Sequence, residues 1–277
     1  MQTTAVETLL RNDRAIVATG LGATTLLAWL YLLTGAGTGM DPAAMTSLQV
    51  LGRMAMPMNG GDGWSASYWA IMLAMWWIMM TAMMLPTAAP TALLYARVHR
   101  QSQTAATSRG SALPAAAFTF GYLVAWLAFS AAATVLQAVL ERIGLLDRMM
   151  MWSTDQTLTA AFLLAAGIYQ LSPLKSVCLD HCRRPVEFLT RHWRPGTHGA
   201  LRMGLQHGLF CVGCCWLLMA LMFAGGVMNL IWIAALTIFV LVEKLAPHGG
   251  RTAKVTGLLL IGAAAFVLAA SSPAAPM

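Results

Sequence analysis

The stretch WAIMLAMWWIMMTAMMLP, residues 69 to 86, decides what kind of molecule this is. Its eighteen residues carry no charge, so no face of it is suited to water. It lacks the alternation of apolar and polar residues that marks a half-buried or barrel strand. An unbroken apolar run of this length is a helix in hydrocarbon, where roughly 20 residues cross a bilayer. Inside lipid every backbone N–H and C=O must find its partner within the chain, which leaves the helix as the structure available to such a run.

Working outward, similar runs recur near residues 15 to 34, 67 to 95, 114 to 140, 155 to 172, 204 to 223, 227 to 246 and 253 to 271. The expected fold is an all-α, polytopic transmembrane helical bundle of about seven helices, forming a single domain over residues 1–277. Composition agrees: 58% of residues are hydrophobic and 10% charged, where a soluble domain carries about 25% charge. The fifth and sixth helices form a hairpin across Gly225 and Gly226. The first apolar run is longer than a signal h-region and is read as retained.

A net charge of +7 raises the question of an anionic partner, and the placement of the basic residues answers it. With a cytoplasmic N-terminus, 14 Lys and Arg residues face inward and Arg53, Arg142 and Arg148 face outward, the bias expected of a bacterial inner-membrane protein. Residues 35–65 then form an exported loop rich in Gly and Met, and residues 173–203 a cytoplasmic loop. Within the latter, PVEFLTRHWRP (185 to 195) mixes Phe188, Leu189 and Trp193 with Arg191 and Arg194, as a segment lying on an anionic leaflet would. The lipid bilayer accounts for the charge, and no nucleic-acid partner is expected.

Sulfur is the unusual ingredient: five Cys and 20 Met. In GLQHGLFCVGCCW (204 to 216), His207, Cys211 and Cys214 or Cys215 stand three or four residues apart, and a helix stacks them on one face. Thiolate and imidazole suit copper(I) and zinc and are poor ligands for magnesium or calcium. Cys178 and Cys182 in CLDHC repeat the i, i+4 spacing, close to the fourth helix, so the two clusters form one site or two successive ones. Met79 and Met83 lie on a stripe with Met72 and Met75, beside a second one formed by Met80 and Met84, and Pro86 follows. Met54, Met56 and Met58 make an M-x-M-x-M pattern in the exported loop that could collect copper(I). Each element has a plainer explanation: free Cys behaves as a small buried hydrophobe, and Met fills irregular gaps between helices. His192, His198 and His248 read as solvated loop residues. Tyr169, Gln170, Asn229, Glu243 and Lys244 are groups that lipid tolerates poorly and should face protein or water.

The blocks WWIMMTAMMLP (76 to 86), YQLSPLKSVCLDHC (169 to 182), GLQHGLFCVGCCW (204 to 216) and VEK (242 to 244), in this order, resemble a bacterial family of predicted metal-binding integral membrane proteins. The resemblance spans about residues 69 to 251. Position by position the family pattern falls on Met79, Met80, Met83, Met84, Pro86, Tyr169, Gln170, Pro173, Lys175, Cys178, Cys182, Gly204, His207, Cys211, Cys214, Cys215, Glu243 and Lys244.

The expectation that follows is a soft-metal protein, for copper(I) ahead of zinc, with metal ligands drawn from His207, Cys211, Cys214, Cys215, Cys178, Cys182, Met79, Met80, Met83, Met84, Met54, Met56 and Met58. It transports copper across the inner membrane or delivers it within that membrane to a metallochaperone or metalloenzyme complex, as a monomer or an oligomer. The chain has no G-x-x-x-x-G-K-[ST] loop for nucleotide and no catalytic constellation. The alternatives are an assembly factor or subunit of a larger membrane enzyme complex, and a thiol-redox membrane protein that uses the Cys clusters.

Overall fold

In a computed structural model, residues 5–37, 46, 64–101, 112–148, 151–247 and 249–271 are described. Helices make up nearly all of this, with no strand among the described residues beyond one isolated bridge between Leu146 and Ser153. In chain order they are α1 (Ala5–Leu33), α2 (Ala66–Gln101), α3 (Ala112–Arg142), α4 (Gln156–Gln170), α5 (Pro173–Arg183), α6 (Pro185–His192), α7 (Gly196–Ala220), α8 (Met222–Gly225), α9 (Leu230–Leu245) and α10 (Gly249–Ser271). Met54, Met56 and Met58 lie outside the described residues.

Among the described residues, five stretches are long and apolar enough to cross a membrane: Ala15–Leu33, Ala66–Gln101, Ala112–Arg142, Gly196–Gly225 and Gly249–Ala270. A sixth arises if α4 and α5, bent by 66° at their junction, are taken as one broken span. This is fewer than the seven apolar runs of the sequence, and the reason is length. With 15 and 16 residues, α4 and α9 reach about 22 and 24 Å at 1.5 Å per residue, against roughly 30 Å of hydrocarbon.

Local chemistry ends both helices. After α4, Ser172 accepts from the Lys175 backbone N–H and Pro173 opens α5, so the chain restarts in a new direction instead of continuing. At the end of α9, Arg183 donates to the carbonyls of Ala246 and Pro247, which an unfinished helix would leave bare. The two short helices meet at the same depth: Gln170 Nε2 donates to Glu243 Oε1 at 3.3 Å, and Lys175 Nζ pairs with Glu243 Oε2 at 2.8 Å, fully buried.

The most extensive packing is α3 against α7, followed by α4 against α10 and α1 against α2. Small residues set the first of these. A Cβ on Gly204 would stand 1.9 Å from the Phe118 carbonyl oxygen, and one on Gly208 2.9 Å from that of Tyr122, so only bare backbone fits. At one end of the bundle Trp64 donates to Glu141 and the Ser153 N–H bonds to Phe223 O. At the other, α6 packs on α2, with Trp193 beside Tyr95 and His99, and Arg100, Arg183, Arg184, Arg191 and Arg194 make this the basic end. Phe188 and Leu189 of α6 are buried in the bundle, whereas Val186 is exposed.

Candidate metal centre

The α7 sequence stacks its chemistry on the side that faces the protein interior: His207, Cys211, Cys214 and Cys215 are all buried. The Cys214 and Cys215 thiols donate back to the Cys211 carbonyl at 3.1 and 2.9 Å, the usual local arrangement of short polar side chains in a helix. From α5, the half-buried Cys182 reaches the thiols of Cys211 and Cys214. From α2, the Met84 thioether lies 4.0 Å from Cys215 Sγ. Thus Cys182, Cys211, Cys214, Cys215 and Met84 meet at one place, although they come from three helices.

Two further helices complete the surroundings. Lys244, buried near the end of α9, donates to Cys211 Sγ at 2.8 Å and to Thr87 Oγ1 at 3.3 Å. Tyr122 of α3 places its hydroxyl 3.0 Å from Cys211 Sγ and donates to the Met84 carbonyl at 2.9 Å. An ammonium and a phenol therefore flank the same sulfur, inside an interior where polar groups survive only when paired.

The remaining sequence candidates take different places. Cys178 sits on the flank of α7, its Sγ 2.9 Å from where a Cβ on Gly213 would be, and the Tyr169 hydroxyl donates to the Gly213 carbonyl beside it. His207 stands one turn nearer the basic end, ringed by Phe118, Tyr122 and Phe188 at 6.0, 5.9 and 5.1 Å between centroids. Its Nδ1 is buried without a hydrogen-bond partner among the described residues. Met79, Met80 and Met83 are fully buried along α2, in the same core as Met72 and Met75. Met151, Met219, Met222 and Met228 extend this sulfur-rich core toward the end that carries Trp64 and Glu141.

Sequence reasoning did not single out Tyr122 or Thr87, and it gave Lys244 a place inside the protein without its partner. The available signal for Tyr122 was its position next to Gly121 in an otherwise apolar helix, where a hydroxyl needs a destination.

Among the described residues, no group of three or more Cys, His, Asp or Glu side chains has the geometry to hold a metal ion as it stands. Pairs of thiols together with a thioether are instead donors for a soft ion of low coordination.

Fold and site together define an apolar helical bundle, suited to lipid, around a buried thiol, thioether and ammonium centre: the donor chemistry of soft-metal handling. The chain belongs to the PpoB2 copper chaperone family, whose model matches residues 73–267. That range holds the α2 methionines from Met75 onward, all five cysteines, His207, Tyr122 and Lys244. No curated protein and no solved structure matches the chain.

Proposed function

We propose that this protein takes up copper(I) in the bacterial inner membrane and passes it, across or within that membrane, to an acceptor that is a metallochaperone or a metalloenzyme complex. The observation that carries the reading is the meeting of Cys182, Cys211, Cys214 and Cys215 with Met84 in the buried core of a copper chaperone family member. Neutral thioethers bind copper(I) and discriminate against harder ions, so Met79, Met80, Met83 and Met84 form a selective approach along α2. Thiolates bind more tightly, so the step from Met84 to Cys215 and Cys211 runs downhill, and release requires an acceptor with thiols of its own. His207 and Cys178 lie to either side of this centre as secondary ligands, and Met54, Met56 and Met58 collect the ion from the exported side.

Lys244 and Tyr122 hold Cys211 in place, Lys244 donating a hydrogen bond to its sulfur and the Tyr122 hydroxyl, whose own proton goes to the Met84 carbonyl, lying beside it. Ligation needs the thiols deprotonated, so loading releases protons, and uptake weakens as the medium is acidified.

The test is metal content by elemental analysis after anaerobic purification in detergent, with copper(I) supplied under reducing conditions. The parent should hold about one copper per chain or more, and the Cys211→Ser/Cys214→Ser variant should lose it. Zinc in place of copper would indicate a structural or regulatory site. No metal in the parent, together with a reversible disulfide among these cysteines, would replace the proposal with thiol-redox chemistry.

A further inference from the structure

The basic end of the bundle holds a second set of ligating groups that the thiol centre does not use. A cavity of about 90 Å³ opens between α5 and α6, lined by Asp180, His181, Arg184, Glu187, Arg191 and His192. His181 Nδ1 lies 2.8 Å from the Val177 carbonyl and His192 Nδ1 3.1 Å from the Phe188 carbonyl, each one helical turn back. A carbonyl can only accept, so in the neutral imidazoles the proton is on Nδ1 and the Nε2 lone pair is free. Fixing of the distal nitrogen by a backbone carbonyl is how metal-binding histidines are oriented. Both rings are also held flat: His181 stacks on Phe210 at 4.1 Å and 11°, and His192 on Phe188 at 5.0 Å and 26°.

The charges around them decide which ion fits. Glu187 is taken up by Arg191 at 2.7 Å and Arg184 at 3.4 Å, so its carboxylate is not a free oxygen ligand. Asp180 is the remaining acid, and the two arginines balance the two acids. A pocket whose free donors are mainly imidazole nitrogens suits copper and disfavours magnesium or calcium. It is also close to the buried centre, because Phe188 touches both the His192 ring and, at 5.1 Å, the His207 ring.

We infer that His181 and His192 form a copper(I) release site at the basic mouth of the bundle, where an ion leaving the thiols through His207 is held weakly before an acceptor takes it. Its role in release rests on the function proposed above; its metal binding does not. Imidazole pairs bind copper(I) less tightly than thiolates, which is what a last station needs.

The experiment uses the full chain in detergent, titrated anaerobically with copper(I) against a chromophoric copper(I) chelator. It compares the parent with His181→Gln/His192→Gln and with Cys182→Ser/Cys211→Ser/Cys214→Ser, each checked for native helicity by circular dichroism. The parent should show a tight and a weak class of copper. The histidine variant should keep the tight class and lose the weak one by roughly tenfold or more in affinity. The cysteine variant should keep the weak class, with imidazole nitrogen scattering in its copper-edge X-ray absorption. A weak class unchanged in the histidine variant, or a parent with no weak class, overturns the release site and leaves the thiol centre standing. Loss of nothing in the cysteine variant overturns the thiol centre and leaves the imidazole site standing.

Discussion

Lys175 and Glu243 are among the most deeply buried charged side chains described, and they are 2.8 Å apart. A buried pair gains little over an apolar pair of equal volume, but breaking one leaves a lone charge in a medium that cannot solvate it. Glu243→Gln should therefore destabilise the protein by about 3 to 5 kcal/mol, whereas Lys175→Met combined with Glu243→Leu should recover most of that loss. Thermal unfolding in detergent checks both, and equal losses in the single and double variants would contradict the pairing. The sequence announced that Glu243, with Tyr169, Gln170, Asn229 and Lys244, had to face protein or water, because lipid tolerates such groups poorly; Tyr169 is half-buried and the other four are buried, while the burial of Lys175 was not anticipated. Their partners were not legible. Lys244 meets Cys211 from 33 positions away and Tyr122 meets it from 89, and no local spacing encodes a contact made by packing.

Among the elements, α3 and α7 are held together by what their glycines lack. Gly204→Ala places a methyl against the Phe118 backbone, which cannot yield without separating the helices, so a loss of about 3 kcal/mol or more is expected. Gly250→Ala, with nothing within 4 Å, should change stability by less than about 0.5 kcal/mol in the same assay. At the start of α4, Asp155 accepts from the backbone N–H groups of Leu158 and Thr157, which holds its carboxyl below the usual carboxylate range. That stabilisation is complete above the ordinary carboxylate value and is lost as the pH falls through the lowered one. Asp155→Ala should cost about 1 kcal/mol near neutrality, and the difference from the parent should disappear on acidification; a constant difference would show that the cap is not electrostatic. The long helices were legible because hydropathy integrates over a whole span. The half-length of α4 and α9 was not, since an apolar window reads the same whether the helix crosses fully or stops at Ser172 or Pro247 to face a polar layer.

Across the whole molecule the methionines of α2 form a column of soft, neutral side chains from Met72, near Gln137, to Met84 at the thiols. Met79→Leu with Met83→Leu conserves volume and should change stability by less than about 1.5 kcal/mol. In copper-loaded liposomes it should slow copper passage by roughly tenfold, equal to about 1.4 kcal/mol on the barrier. Unchanged passage with unchanged stability would make the column packing alone.

The neutrality of that column has an electrical consequence. No thioether offsets the charge of an ion in transit, so a copper(I) ion moving from Met72 to Met84 carries its full charge over about 18 Å, about three fifths of the roughly 30 Å hydrocarbon core. With the basic end in the cytoplasm, the orientation expected from the charge bias, a membrane potential of 100 mV, interior negative, would favour movement from Met72 to Met84 by about 1.4 kcal/mol, since a whole crossing is worth about 2.3. In the transport proposed above, the cell's resting voltage would then pull copper toward the cysteines without any nucleotide, and collapsing it with an ionophore would abolish the bias.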